Sequence, residues 1–109
     1  MCIRDRLGAV ARIEDTIARQ SGDEFVLVCE RTDTGTAVEI ARRVTSSIGR
    51  PYLLPEGVAR VTASIGVATS DGTCDAEEVL RRADSAMYRA KKRGPGGVHV
   101  FDGADLTAR

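Results

Sequence analysis

The clearest pattern in the chain is an apolar stripe at helical spacing that begins after residue 35. Its members fall one, three or four positions apart, on one face of a helix: Ala37, Ile40, Ala41, Val44 and Ile48. Thr36 and Glu39 have the spacing of a capping box, and Gly49 with Pro51 ends the pattern. The sequence therefore predicts an amphipathic helix here.

A second helical stripe follows residue 75. Asp75 and Glu78 repeat the capping-box spacing, and the pattern runs to Gly94. Its apolar members are Val79, Leu80, Ala83, Ala86, Met87 and Ala90. A second amphipathic helix is predicted, with Asp84 and Tyr88 expected to serve packing and hydrogen bonding.

Strand patterns fill the rest of the chain. "DTIAR" (15–19) and "FVLVCE" (25–30) flank Ser-Gly-Asp, which predicts a hairpin whose second strand is buried. "PYLL" and "GVARVTASIGVATS" flank Pro55-Glu56-Gly57 and predict a second hairpin. "VHVF" (98–101) predicts a last, edge strand, with His99 as a structural histidine at the surface or half-buried. Small residues at 62, 64, 66 and 68 would let a helix lie close to the sheet.

The predicted order is hairpin, helix, hairpin, helix, strand, which indicates an α+β fold with helices on one side of an antiparallel-rich sheet. Residues 7–13 resemble the tail of a helix or a connection, and 103–109 a frayed tail. Because the pattern starts in the middle of an element, we expect a single partial domain over 1–109 whose first strand and helix are missing.

Composition limits the function. The chain has 109 residues, 42% of them hydrophobic, and 16 basic residues balance 16 acidic ones. This profile is typical of one globular domain, with no net field for nucleic acid or an anionic membrane. The three cysteines form no disulfide framework or zinc pattern, so a cytoplasmic location is expected.

The acidic turn is the main candidate for chemistry. Asp23 and Glu24 are adjacent at the hairpin, and carboxylate oxygens on a rigid turn suit Mg²⁺, with phosphates completing the coordination. Ser21 and Gly22 would let a phosphate or base approach the backbone closely. Two solvated carboxylates in an ordinary turn are the alternative, and the turn alone does not decide between them.

Three motifs in order resolve this choice. "ARQSGDEFVLV", "VTASIGVAT" and "ADSAMYRAKKRG" closely resemble the GGDEF domain of diguanylate cyclases, over about residues 7–102. The resemblance implies a nucleotide-cyclase palm, a ferredoxin-like α+β fold. It also implies condensation of two GTP molecules into cyclic di-GMP, with release of two pyrophosphates, in an antiparallel homodimer in which each subunit holds one GTP.

The resemblance also implies roles for individual residues. Asp23 would bind metal and help activate the attacking hydroxyl, and Glu24 would be a second acidic ligand for Mg²⁺ or Mn²⁺. Ser21 and Gly22 would lie against the substrate, and Lys91 would reach the triphosphate, although a lysine there also suits a helix C-terminus. Ser21 replaces the first glycine of the signature, and Pro95 stands where an arginine is common.

An inhibitory product site is implied by the RxxD spacing upstream of the signature. Arg12 and Asp15 would bind the guanines and phosphates of cyclic di-GMP, with Arg43 on the first predicted helix as a second arginine. Surface ion pairing and a solvated helix face are the alternative interpretations.

Features implied by the family are also missing: a strand with another metal-binding aspartate, and a helix with an asparagine and an aspartate that read guanine. We therefore expect this chain to be inactive alone. One alternative is a degenerate, non-catalytic GGDEF module that binds cyclic di-GMP or mediates dimerisation. A weaker one is an unrelated ferredoxin-like interaction domain.

Overall fold

The computed structural model describes residues 3–11, 15–21, 24–29, 32–70, 72 and 75–102. Three helices and six strands occur in these ranges. In chain order they are α1 (Ile3–Val10), β1 (Thr16–Ser21), β2 (Glu24–Val28), α2 (Thr34–Ile48), β3 (Tyr52–Leu54), β4 (Gly57–Ala59), β5 (Ile65–Val67), α3 (Ala76–Arg93) and β6 (Val98–Val100). Two of the three strand pairs are antiparallel, so the predicted α+β class is confirmed.

The first predicted hairpin is present. Strands β1 and β2 are antiparallel, with Thr16 opposite Val28 and Ser21 opposite Glu24. A bulge between Arg19 and Ser21 shifts the register just before the bend. The connection is therefore two residues long, which is the shortest common hairpin loop.

Helix α2 starts earlier than its capping-box spacing predicted. Asp33, not Thr36, is the N-cap, and its Oδ1 accepts a hydrogen bond of 2.7 Å from the Thr36 backbone N–H. The prediction of the cap was wrong because Asp33 is itself a strong capping residue and lies one turn further upstream. Hydrogen bonds from the Thr36 backbone and side chain lower the pKa of Asp33.

Helix α3 begins as predicted. Asp75 is its N-cap and accepts from the Glu78 backbone N–H at 2.8 Å. The Glu78 carboxylate accepts from Arg81 and Arg82, each at 2.8 Å, and these hydrogen bonds lower the pKa of Glu78. The helix ends at Gly94, whose φ of 120° favours glycine.

The second hairpin is shorter than predicted. Only β3 and β4 pair, with Leu53 opposite Val58, and the extended stretch beyond does not continue the hairpin. Instead β5 pairs in parallel with β6, for example Gly66 with His99. The crossover through α3 explains the parallel direction. His99, which the sequence predicts at the surface or half-buried, is buried in the structure, with 9% exposure.

The predicted close approach of helix and sheet is confirmed at Gly66. A Cβ atom at this position would collide with the backbone of Ala83 and Met87 in α3. Only a glycine lets β5 lie this near to the helix.

One apolar core joins the first two helices. It consists of Leu7, Val10, Ile40, Val44 and Ile48. Phe25 and Leu27 from β2 and Ile65 from β5 pack against it, so both strands rest on the same helical layer.

A cavity of about 750 Å³ separates β2 from β5. Residues 24–28 and 65–67 all line it. Successive side chains of a strand point to opposite faces of the sheet, so a lining by consecutive residues indicates that the edges of β2 and β5 face the cavity. In the described part of the chain β2 pairs only with β1, and β5 only with β6. Strand β2 is therefore only half-buried, contrary to the prediction, and Val28 is 49% exposed.

Candidate functional site

The acidic bend sits at the end of the β1–β2 hairpin. Glu24 is the first residue of β2, half-buried, and directly opposite Ser21. Gly22 and Asp23 lie outside the described residues, as does the side chain of Ser21. The hairpin nevertheless fixes the position of Glu24, because it pairs in the ladder and Phe25 next to it packs on the core.

Glu24 lines the cavity between β2 and β5. Asp33, at the start of α2, and Asp84, on α3, line the same cavity. Within the described ranges these and the other acidic, cysteine and histidine side chains form no group of three that could hold a metal ion. Of the two proposed metal ligands, Asp23 and Glu24, the structure describes the position of Glu24 only.

The predicted product-site residues are partly visible. Asp15 is half-buried just before β1, and Arg43 is exposed on α2. Arg12 lies outside the described residues. Arg43 lines a shallow groove of about 530 Å³ between α1 and α2.

Lys91 is exposed in the last turn of α3, where three basic residues follow one another. Its neighbour Lys92 lies over the Tyr88 ring, with Nζ 5.1 Å from the ring centroid. Pro95 lies in the turn that follows the helix. Lys91 is therefore open to solvent at the end of α3 opposite the Asp75 cap.

Sequence reasoning missed two arginines. Arg42 and Arg50 line the same groove as Arg43, together with Ser46 and Ser47. A signal was available for Arg42, which lies four residues before Ser46 and so shares a face of α2 with it, whereas Arg50 lies beyond the end of that helix. The resemblance drew attention to Arg43 alone.

No helix in the described part of the chain is long and apolar enough to cross a membrane.

Two bacterial proteins are similar to this chain over most of its length. The chain is 38% identical over 101 residues to the bifunctional diguanylate cyclase/cyclic di-GMP phosphodiesterase MucR of Pseudomonas aeruginosa, covering 92% of this chain and 15% of MucR. It is 39% identical over 92 residues to the diguanylate cyclase DgcM of Escherichia coli K12, covering 84% of this chain and 22% of DgcM. The chain therefore spans less than a quarter of either relative.

Solved structures show the same fold. A GGDEF-only form of the TpbB or YfiN protein of P. aeruginosa superposes with a TM-score of 0.84 at 31% identity, covering 96% of this chain and 63% of that chain. An EAL/GGDEF domain protein from M. capsulatus gives a TM-score of 0.81 at 31% identity, covering 92% of this chain and 66% of that chain.

A family model leads to the same result by a separate comparison. The model described as "Diguanylate cyclase, GGDEF domain" matches residues 1–96, which include the acidic hairpin and both amphipathic helices. This match covers most of the chain, so the chain belongs to the GGDEF domain family of diguanylate cyclases.

Proposed function

We propose that this chain supplies the GTP-binding hairpin and product-site surface of a diguanylate cyclase. In the reaction the 3′-hydroxyl of one GTP attacks the α-phosphate of another, so that an O–P bond forms and pyrophosphate leaves. The same step in the opposite sense closes cyclic di-GMP between two antiparallel subunits. The observation that carries the proposal is the two-residue connection of β1 and β2, with Asp23 in the bend and Glu24 fixed in the ladder.

Asp23 and Glu24 are the proposed metal ligands. Their carboxylate oxygens fit Mg²⁺ or Mn²⁺, which prefer oxygen donors. When bound, such ions stabilise charge on the attacking and leaving oxygens of phosphoryl transfer. Glu24 is suited to hold a ligand still because its backbone pairs with Ser21 and its strand rests on the core.

The other proposed substrate contacts are taken from the sequence motifs. Ser21 and Gly22 would leave room for the nucleotide at the bend, and Lys91 would meet the triphosphate through its ammonium group. Exposure of Lys91 supports this role, since its charge is open to an incoming ligand.

Manganese binding tests the acidic pair directly. We expect electron paramagnetic resonance to show that the chain binds Mn²⁺ in the presence of GTP. Asp23→Asn or Glu24→Gln should weaken that binding at least about tenfold. Glu39→Gln, an exposed acid on α2, is the matched control and should change nothing. Equal binding in all four proteins would contradict the proposed metal site.

We also propose that this chain does not turn over GTP by itself. In support, the proposed metal ligands are one adjacent acidic pair, Asp23 and Glu24, which offers few of the oxygen ligands that two ions in a phosphoryl-transfer site need. Incubating the chain with GTP and Mg²⁺ should yield no cyclic di-GMP by chromatography. Formation of product would show that these residues are sufficient.

Cyclic di-GMP is the proposed inhibitory ligand of Arg12, Asp15 and Arg43. Guanidinium groups bind phosphate through paired hydrogen bonds, and a carboxylate accepts from the guanine edge. Calorimetric titration should show binding that Arg12→Ala abolishes. Absence of binding, or unchanged binding in that variant, would reject this part of the proposal.

A further inference from the structure

The β3–β4 hairpin carries an apolar surface that nothing in the described part of the chain covers. Five large hydrophobic residues are exposed in that part, and three of them, Leu53, Leu54 and Val58, fall within this one hairpin. Exposed apolar side chains that are scattered singly are ordinary, whereas a contiguous group marks a surface where another molecule binds. The hairpin is therefore a candidate interaction surface.

Two of these side chains form a pair on the solvent face of the hairpin. Leu53 and Val58 lie directly opposite each other, with exposed fractions of 75% and 63%. The next pair is Tyr52 opposite Ala59, and Tyr52 is buried. Because successive residues of a strand point to opposite faces, the hairpin rests on the protein through the Tyr52 face and turns Leu53 and Val58 outward.

The outer edge of β4 is open to a further strand. In the described part of the chain β3 and β4 pair only with each other. A two-residue loop joins them, so the pair next to it, Leu54 and Gly57, is hydrogen-bonded, and bonded and non-bonded pairs alternate from there. Leu53 and Val58 are then a non-bonded pair. The backbone N–H and C=O of Val58 therefore point away from β3, where another strand can pair with them.

The charges around β4 suit a second copy of the same strand. In an antiparallel pair centred on Val58, position 56 of each copy lies opposite position 60 of the other. These positions hold Glu56 and Arg60, which are exposed and form no ion pair with any described residue. Opposite charges that face each other across two strands are stabilising. Two such pairs form at once, because a two-fold axis repeats each contact.

We infer that two copies of this chain associate through β4, antiparallel about a two-fold axis at Val58. Val58 of one copy then exchanges both backbone hydrogen bonds with Val58 of the other, and the two hairpins form one four-stranded sheet. On its solvent face Leu53 and Val58 of both copies stand side by side in one apolar row. A self-complementary contact of this kind closes after two copies and does not extend into a filament.

This contact is separate from the proposed cyclase site. None of the hairpin residues lines the cavity that Glu24 borders, and none lines the groove between α1 and α2. The inference therefore does not depend on the proposed function. Pairing of two three-residue strands buries less than the roughly 1,200 Å² of a stable interface, so we expect a weak dimer that forms only at high protein concentration.

Sedimentation equilibrium of the intact chain tests this contact. From about 10 µM to about 1 mM we expect the wild type to shift from monomer to dimer by mass action. Val58→Lys places two like charges opposite each other at the axis and should abolish the shift. Leu80→Lys is the matched control, because Leu80 is also exposed but lies on α3, and this variant should dimerise like the wild type.

Charge reversal tests the register and does not depend on how well any single variant folds. Glu56→Arg and Arg60→Glu should each weaken dimerisation about threefold or more, because like charges then face each other. Glu56→Arg/Arg60→Glu should restore it, since both pairs form again with the signs exchanged. A double variant as weak as the single ones would overturn the proposed register.

Two further outcomes would overturn the proposal as a whole. A wild type that stays monomeric over the full range would show that β4 does not pair with a second copy. A dimer that Val58→Lys leaves intact would form through another surface, and the antiparallel dimer of the proposed cyclase reaction would be unaffected by that result.

Discussion

At the residue scale, Arg6 connects three elements of the described fold. Its side chain is buried and bonds four backbone carbonyls after and within the end of α2, those of Ser47, Ile48, Arg50 and Pro51. The guanidinium carbon also lies 3.5 Å from the centroid of the Tyr52 ring. One planar cation therefore joins α1, α2 and the start of β3.

Replacing Arg6 should unfold the domain more easily. Arg6→Ala leaves several carbonyls without a donor, and we expect a loss on the order of 3 kcal/mol in the free energy of unfolding. The free energy of unfolding of Arg6→Lys should lie between those of Arg6→Ala and the wild type. An ammonium group keeps the charge, but it cannot donate to several carbonyls and stack on the Tyr52 ring at the same time. Urea titrations measure this, with exposed Arg60→Ala as a control expected to stay within about 0.5 kcal/mol.

At the element scale, the contact between β5 and α3 depends on one missing side chain. Gly66 lies against the backbone of Ala83 and Met87, whereas nothing lies within 4 Å of a Cβ built at Gly8 in α1. The same substitution should therefore have opposite effects at the two positions.

Gly66→Ala should lower the free energy of unfolding by about 1–3 kcal/mol, since strand and helix must separate to admit a methyl group. Gly8→Ala should raise it by about 0.5–1 kcal/mol through helix propensity. Chemical denaturation of both variants decides the matter. Two changes of the same sign would show that β5 and α3 do not meet as described.

The N-cap of α2 makes the free energy of unfolding depend on pH. Folding lowers the pKa of Asp33 through its hydrogen bonds with Thr36, so the ionised form stabilises the folded state. This contribution is complete above the ordinary aspartate value of about 3.9 and is lost as the pH falls through the lower folded pKa. Solvent exposure of Asp33 keeps the effect small.

Asp33→Asn tests this dependence, because asparagine also caps helices but does not titrate. Thermal unfolding from pH 6 to pH 2 should show the midpoint of the wild type approaching that of the variant as the pH falls. A constant difference between the two proteins over that range would show that the Asp33 carboxylate does not contribute through its charge.

At the scale of the whole molecule, the described strands form three separate pairs, and a cavity lies between the pair that contains β2 and the pair that contains β5. Both β2 and β5 border this cavity, but β5 is fixed by β6 and by close contact with α3, whereas β2 pairs only with β1 in the described part of the chain. Segments with fewer buried contacts open at lower free energy than the core.

Hydrogen exchange should therefore rank the strands. We expect amides of the β1–β2 hairpin to exchange before those of β5 and of the buried face of α3, in mass-spectrometric measurements on the intact chain. Simultaneous exchange of all three segments would indicate a single cooperative unit. A ligand of the acidic bend should slow exchange in the hairpin first.

Much of this fold was predictable because its signals are local. The stripe from Ala37 to Ile48 buries as expected, Asp75 caps α3, and glycine positions end both helices. Each of these features depends on a few neighbouring residues and on local backbone hydrogen bonds, which are favourable whatever the rest of the fold is. The acidic hairpin was predictable for the same reason, since two residues between two apolar runs leave few alternatives.

The sequence by itself determined the two amphipathic helices, the first hairpin and the family. Only the tertiary structure decided that β5 pairs with β6 and not with the β3–β4 hairpin, that His99 is buried, and that Arg42 and Arg50 share a groove with Arg43. The physical reason is distance along the chain. Parallel pairing across α3, and a groove between α1 and α2, arise from packing of segments more than 20 residues apart, and local patterns do not encode it.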